Sequence, residues 1–175
     1  DLDSDTAQKY VSYKELFPDA TKETELSKEV KEVFSLFFQD FDYQILDIDV
    51  DKDKKEATAK LKLTTIDAQA LASDYAEASL KSAIFEAAGS DSADTEEATD
   101  SLEERYLILD DLLKQNHYNT VEKECTIKLT DKGTSEQKWE IIRTHSLEND
   151  LVGGLMTYLS DSDLMTPEKT LTVYF

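Results

Sequence analysis

The stretch LDIDVDKDKKEAT, residues 46–58, places an acidic side chain at every second position from Asp47 through Asp53. Two structures produce such a rhythm: a calcium-binding loop, and a strand whose polar side faces water. An EF-hand loop needs oxygen ligands at its first, third and fifth positions, glycine at the sixth and a bidentate Glu at the twelfth. Counted from Asp47, the acids at Asp49 and Asp51 fit, but the sixth position is Lys52 and the twelfth is Thr58. Counted from Asp49, those positions hold Lys54 and Lys60. The spacing therefore reads as a strand, with Leu46, Ile48 and Val50 facing a core and Asp47 and Asp49 facing water. A turn through Asp51-Lys52-Asp53-Lys54 ends it, and no metal is expected there.

Downstream, Ala57, Ala59, Leu61 and Leu63 alternate with Thr58, Lys60, Lys62 and Thr64, which completes an antiparallel hairpin. The later segment YNTVEKECTIKLTDKGTSEQKWEIIRTHSL repeats the pattern. Val121, Cys125, Ile127 and Leu129 share one side, interrupted by Lys123. Asp131-Lys132-Gly133 supplies the turn, and Trp139 with Ile141 lies on the returning strand.

The remaining segments carry the helical period. TAQKYVSYKEL (6–16) precedes Pro18, which cannot continue a helix. ETELSKEVKEVFSLFFQDF (23–41) spaces Leu26, Val30, Val33, Phe34, Phe37, Phe38 and Phe41 by threes and fours. Between the hairpins, Asp67 is a candidate N-cap for AQALASDYAEASLKSAIFEAA, which Gly89 closes. The acidic connector SDSADTEEATDS follows, with Asp94 and Glu97 placed as a capping box for a helix carrying Leu102, Tyr106, Leu109, Leu112 and Leu113. SLENDLVGGLMTYLS (146–160) reads as one helix weakened by Gly153-Gly154, and KTLTVYF (169–175) as a terminal strand.

At 175 residues the chain suits a single domain, 1–175, with 1–5 a linker remnant and 67–116 an inserted helical pair. The order of helices and antiparallel strands predicts an α+β fold, a curved antiparallel sheet packed on N-terminal helices. Hydrophobic residues make up 39% of the chain, enough for a packed interior beside 33% charged residues. The formal charge of -20 excludes nucleic acid and anionic membrane surfaces as partners, because both are bound through Lys and Arg. No apolar run approaches the ~20 residues of a membrane helix. The opening DLDSDTAQKY is expected to be a linker following an export signal.

Three of these segments, TAQKYVSYKEL, FDYQILDIDVDKDKKEATAKLKLTTID and KWEIIRTHSLENDLVGGL, together resemble a group of exported Gram-positive lipoproteins of uncharacterised function. That group has a nuclear-transport-factor-2-like, or cystatin-like, cone. The resemblance runs in order from Thr6 to Leu155. It implies a sheet wrapped around a long helix and a cell-surface or extracellular location, with the membrane reached only through a lipid anchor outside this chain. It implies no catalytic residue.

Candidate chemistry is sparse. Cys125 with His145 or His117 would make a thiol and base, but Cys125 falls on the apolar side of its strand and reads as a core thiol. One Cys and two His are too few for a zinc site without carboxylates. Tyr10, Tyr13, Tyr43, Tyr75, Trp139 and His145 are the residues that would line a pocket between sheet and helices. Glycine-rich phosphate loops, nucleophile elbows and metalloprotease helices do not occur in the sequence. The expectation is a non-catalytic surface domain that binds a small molecule or an envelope protein and carries no cofactor. The competing expectation is a small-molecule enzyme or carrier using the concave sheet face. Filling of that face by Phe34, Phe37, Phe38 and leucine residues would count against it, and an acid facing an aromatic hydroxyl in an open pocket would favour it. A third is a partner-protein module presenting the acidic helical pair.

Overall fold

Alternating apolar residues from Tyr43 to Leu63 build the first hairpin, β1 (Asp42–Asp51) paired antiparallel with β2 (Glu56–Ile66). The structure, a computed structural model, describes residues 16–18, 32–89, 102–134, 136, 138–161 and 166–175. Asp51 makes the turn between the strands: its carboxylate accepts the backbone N–H groups of Asp53 and Lys54 at 3.1 and 3.2 Å. Lys55 completes the turn in the left-handed region at φ 54°. The acid that opens the turn is thereby committed to backbone hydrogen bonds, as short polar side chains in turns often are.

Along β1 the register shifts between Ile45 and Asp47, which is a β-bulge at Leu46. This corrects the reading of Leu46, Ile48 and Val50 as one core-facing set. Ile48 and Val50 stand opposite Ala59 and Ala57, whereas Ile45 and Tyr43 stand opposite Leu61 and Leu63. The extra residue inverts the parity, so Tyr43 and Ile45 join Ile48 and Val50 on one face and Leu46 drops out. Every residue of β1 is exposed, so this face is apolar without being core.

β2 also pairs antiparallel with β3 (Thr120–Asp131), and β3 with the short β4 (Trp139–Ile141), giving one four-stranded antiparallel sheet in the order β1-β2-β3-β4. The sheet is open. Between β2 and β3 the chain departs into α2 (Ala68–Gly89) and α3 (Leu102–Gln115), which pack on each other. The N–H of Asp67 donates to the carbonyl of Asn119 at 2.8 Å, so the excursion ends where it began. Asp67 also caps α2, accepting the N–H of Ala70 at 3.2 Å. The capping box at Asp94 and Glu97, the linker 1–5 and the first helix with Tyr10 and Tyr13 lie outside the described residues.

The main core is helical. α1 (Val33–Phe37) contributes Val33, Phe34 and Phe37, followed by Phe38; α2 contributes Ala68, Leu71 and Ala72; α3 contributes Leu102, Tyr106 and Leu109. Tyr106 is the hub. The rings of Phe17 and Phe34 meet it edge-on at 5.3 and 6.1 Å, a favoured aromatic geometry. Among the described residues α1 packs chiefly on α3. Phe34, Phe37 and Phe38 therefore fill the space between helices and belong to a cluster separate from the one on the sheet face.

After β4, two short helices replace the single one expected over 146–160: α4 (His145–Leu151) and α5 (Leu155–Leu159). Gly153 and Gly154 separate them at φ 67° and 83°, values that break a right-handed helix. Asn149 braces the corner, its carbonyl and side-chain oxygens accepting the N–H groups of Gly154 and Met156. The C-terminal segment is a second correction. It forms helix α6 (Pro167–Tyr174), because Thr166 accepts the N–H of Lys169 as an N-cap and Pro167 starts the first turn. That pair of starting signals overrides the strand propensity of the threonines and valine.

A Cβ on Gly153 would lie 2.7 Å from Thr65 Oγ1 and 3.2 Å from the Ile66 carbonyl, where the α4–α5 corner meets the end of β2. Gly133, also at positive φ, has open space around it. Gly153→Ala is expected to lose about 2–4 kcal/mol, backbone strain plus overpacking, against about 1 kcal/mol for Gly133→Ala. Urea denaturation of both variants checks the difference.

Candidate functional site

The register of the sheet aligns apolar side chains in rows across one face. One row is Val50, Ala57, Leu129 and Ile141; the next is Ile48, Ala59 and Ile127; a third is Ile45, Leu61 and Cys125. Helix α4 covers part of this face through Leu147 and Leu151, which pack with Leu61, Leu63, Cys125 and Ile127. Its main strand contact is with β3. Tyr43, Ile45, Ile48 and Val50 keep 60%, 53%, 54% and 45% of their surface in water.

An open groove of about 330 Å³ results. Ala57 and Ala59 make its floor, and because they are small the residues flanking them stand as walls: Ile48 and Val50 on one side, Ile127 and Leu129 on the other. Trp139 and Ile141 close the β4 end. Contiguous exposed apolar surface of this sort marks interaction sites on folded proteins.

The opposite face of the sheet is charged. Lys60 pairs with Glu124 at 3.1 Å and Lys62 with Glu122 at 3.5 Å, both between β2 and β3. Exposed pairs of this kind add little stability, on the order of 0–1 kcal/mol. Their placement matters more than their strength. The lysines of β2 turn toward β3, so among the described residues Asp47 and Asp49 of β1 have no ion-pair partner.

The structure separates the candidate pocket residues. Trp139 and Tyr43 line the groove. Tyr75 packs against Phe17 in the helical core, with ring centroids 5.4 Å apart. His145 is the exposed first residue of α4. Tyr10 and Tyr13 lie outside the described residues. The groove residues Ile48, Val50, Ala57, Ala59 and Ile141 were legible only as generic strand positions, and Ile45 was missed because Leu46 took its place in the alternation; the sign that they form a site is exposure, which alternation does not report.

Cys125 is buried on the apolar face opposite Leu61. Burial, and then the nearby Asp150 carboxylate, pushes its thiol up, while Lys123 acts in the opposite sense. A raised thiol is a poor nucleophile at neutral pH. Lys123, the interruption in the apolar strand, reaches Asp150 of α4 at 2.9 Å and ties that helix to β3.

One acid does face an aromatic hydroxyl: Tyr118 donates to Asp74 at 2.7 Å, joining the chain before β3 to α2. The cavity that Tyr118 and His117 line is only about 50 Å³, too small for an organic substrate. Asp110, buried on α3, accepts from Lys114 at 2.7 Å through one oxygen, and its other oxygen has no hydrogen-bond partner among the described residues. Among the described residues no three His, Cys, Asp or Glu side chains are grouped to hold a metal ion, and no helix is long and apolar enough to cross a membrane. No family model, curated protein or solved structure matches the chain.

Desolvation, followed by the hydrogen bond to Asp74 and its charge, raises Tyr118 above the ordinary tyrosine range. The unfolded chain ionises this phenol near pH ~10 while the folded chain keeps it protonated. Its stabilising contribution is therefore complete below about pH 10 and declines as pH rises toward the folded value. Tyr118→Phe should lower stability by about 1–2 kcal/mol at pH 7 and flatten the alkaline loss, measured by urea denaturation between pH 7 and 11.

Proposed function

We propose that this protein is a non-catalytic binding domain whose working surface is the uncovered apolar face of its sheet. The single observation that carries this reading is the exposed row of Tyr43, Ile45, Ile48 and Val50 beside a groove floored by alanine. Leaving four large apolar side chains in water sacrifices burial that folding would otherwise use, about 1.5–3 kcal/mol for each fully buried residue. A surface retained at that expense is most simply explained by something that covers it.

The sheet order, the helix at one end of its apolar face and the resemblance of three segments to exported lipoproteins support a cystatin-like cone at the cell surface of a Gram-positive organism. On this reading the cone is only part-filled, α4 occupying one end and the groove the other. Location is tested by palmitate labelling and surface proteolysis of the full-length protein in its own cells. A second reading, a carrier of small apolar molecules, draws on the groove volume, which reaches the lower end of the usual range for ligand pockets, about 300–1,000 Å³.

Binding of the neutral fluorescent dye N-phenyl-1-naphthylamine should saturate at one site per chain. Ala59→Phe, which fills the floor, and Ile48→Ser with Val50→Ser, which strips the wall, should each weaken the dye at least about tenfold. The double serine variant should keep its fold because both side chains are already about half exposed, and circular dichroism checks folding of Ala59→Phe, since Ala59 is buried. Unchanged dye binding in both variants, or steady turnover of ester, ketosteroid or peptide substrates, would refute the reading.

A further inference from the structure

β1 is an edge strand: β2 lies on one side of it, and among the described residues no strand lies on the other. Ten residues of backbone, Asp42–Asp51, run along this edge, each of them exposed. The bulge at Leu46 interrupts this edge, so the regular stretch that invites pairing with another chain is Asp47–Asp51. Three observations converge on what can pair here. One face of β1 carries Tyr43, Ile45, Ile48 and Val50, continuous with the groove. The other face carries Asp42, Asp47 and Asp49. The lysines that could have neutralised those acids are engaged with Glu122 and Glu124 on the far side of β2.

Resting on the binding-face reading above, we propose that β1 receives an extended segment of a partner protein as a fifth strand, and that this segment alternates apolar with basic residues. An added antiparallel strand puts successive side chains on opposite faces of the sheet. Its apolar residues then extend the row of Ile48 and Val50 toward the groove. Its Lys or Arg residues come beside Asp47 and Asp49, at the short cross-strand distances where opposite charges stabilise pairing.

A second copy of this chain is the wrong occupant. Two-fold pairing of β1 with itself keeps like faces together, so Asp47 and Asp49 of one copy would meet the same acids of the other. Each copy also brings a formal charge of -20. A helical partner would cover the groove but leave the backbone of β1 unpaired and the two acids without counter-charges. The acids thus do two things at once: they repel a copy of the same edge and select a basic one.

The test uses the full chain and three fluorescein-labelled ten-residue peptides: alternating Lys-Val, alternating Glu-Val, and Lys-Val N-methylated at every second residue. Anisotropy should show saturable binding of the Lys-Val peptide and at least about tenfold weaker binding of the other two, the methylated one because it cannot donate along the edge. Asp47→Asn with Asp49→Asn should weaken the Lys-Val peptide roughly tenfold while leaving dye binding intact, and 1 M salt should do the same. Hydrogen exchange should slow at β1 amides when the peptide is bound.

Equal binding of the methylated peptide, or of the Glu-Val peptide, would overturn the added strand. So would a concentration-dependent dimer in sedimentation that is lost on Ile48→Ser, since the face would then belong to a second copy. Failure of the peptide with dye binding retained overturns this inference and leaves the apolar binding face standing. Failure of both overturns both.

Discussion

The ladder between β2 and β3 is the constraint on which the rest of the molecule depends. It pairs Glu56 with Thr130 at one end and Ile66 with Thr120 at the other, with no shift in register. Those partners are separated by the whole α2–α3 excursion, yet a longer connection adds little to the entropy of closure, about 0.6 kcal/mol for each doubling. What the excursion must do is return to its starting point, and the hydrogen bond from Asp67 to Asn119 marks that return. The same junction caps α2 through the Asp67 side chain, so strand end, helix start and strand start are fixed by a few neighbouring atoms. The Gly153 corner then packs on Thr65 at this end of β2, which places α4 against the sheet and α5 against α2.

Because the ladder is long and in register, the two faces of the sheet differ in kind. The polar face is tied by Lys60–Glu124 and Lys62–Glu122, pairs that add little to stability but set where unpaired charge remains. Among the described residues, the helices cover only part of the apolar face. The large aromatic side chains of α1 are spent on Tyr106 and its neighbours, so among the described residues it is α4, with Phe41, that packs on the apolar face, at Leu61, Leu63, Cys125 and Ile127.

Much of this was legible in the sequence, and the failures have physical causes. Both hairpins follow from two-residue alternation, and the turns at Asp51 and Asp131 form as their side-chain chemistry requires. The bulge was hidden because Ile45 and Leu46 are adjacent and both apolar, so either parity satisfies the pattern until the partner strand is known. KTLTVYF read as a strand from its β-branched residues, but Thr166 and Pro167 just before it supply a helix cap and a fixed first φ. The pocket residues scattered because aromatic spacing on separate elements carries no information about which of them meet: Tyr75 went to the helical core and Trp139 to the sheet face.

The deepest ambiguity lay in LDIDVDKDKKEAT itself. Alternation identifies an apolar face, and burial within the same chain is only one of the ways such a face is used. In β2 and β3 the face is core, as Leu61, Leu63 and Ile127 demonstrate. In β1 the same pattern stays in water. An edge strand that were merely left over would be expected to carry polar side chains on both faces, since apolar ones there favour aggregation. β1 instead keeps one face apolar and places on the other aspartates that have no ion-pair partner among the described residues, a combination that on the added-strand proposal deters a like strand and leaves the edge competent for an unlike one. On the added-strand proposal, the acids that first looked like metal ligands act through the sign of their charge.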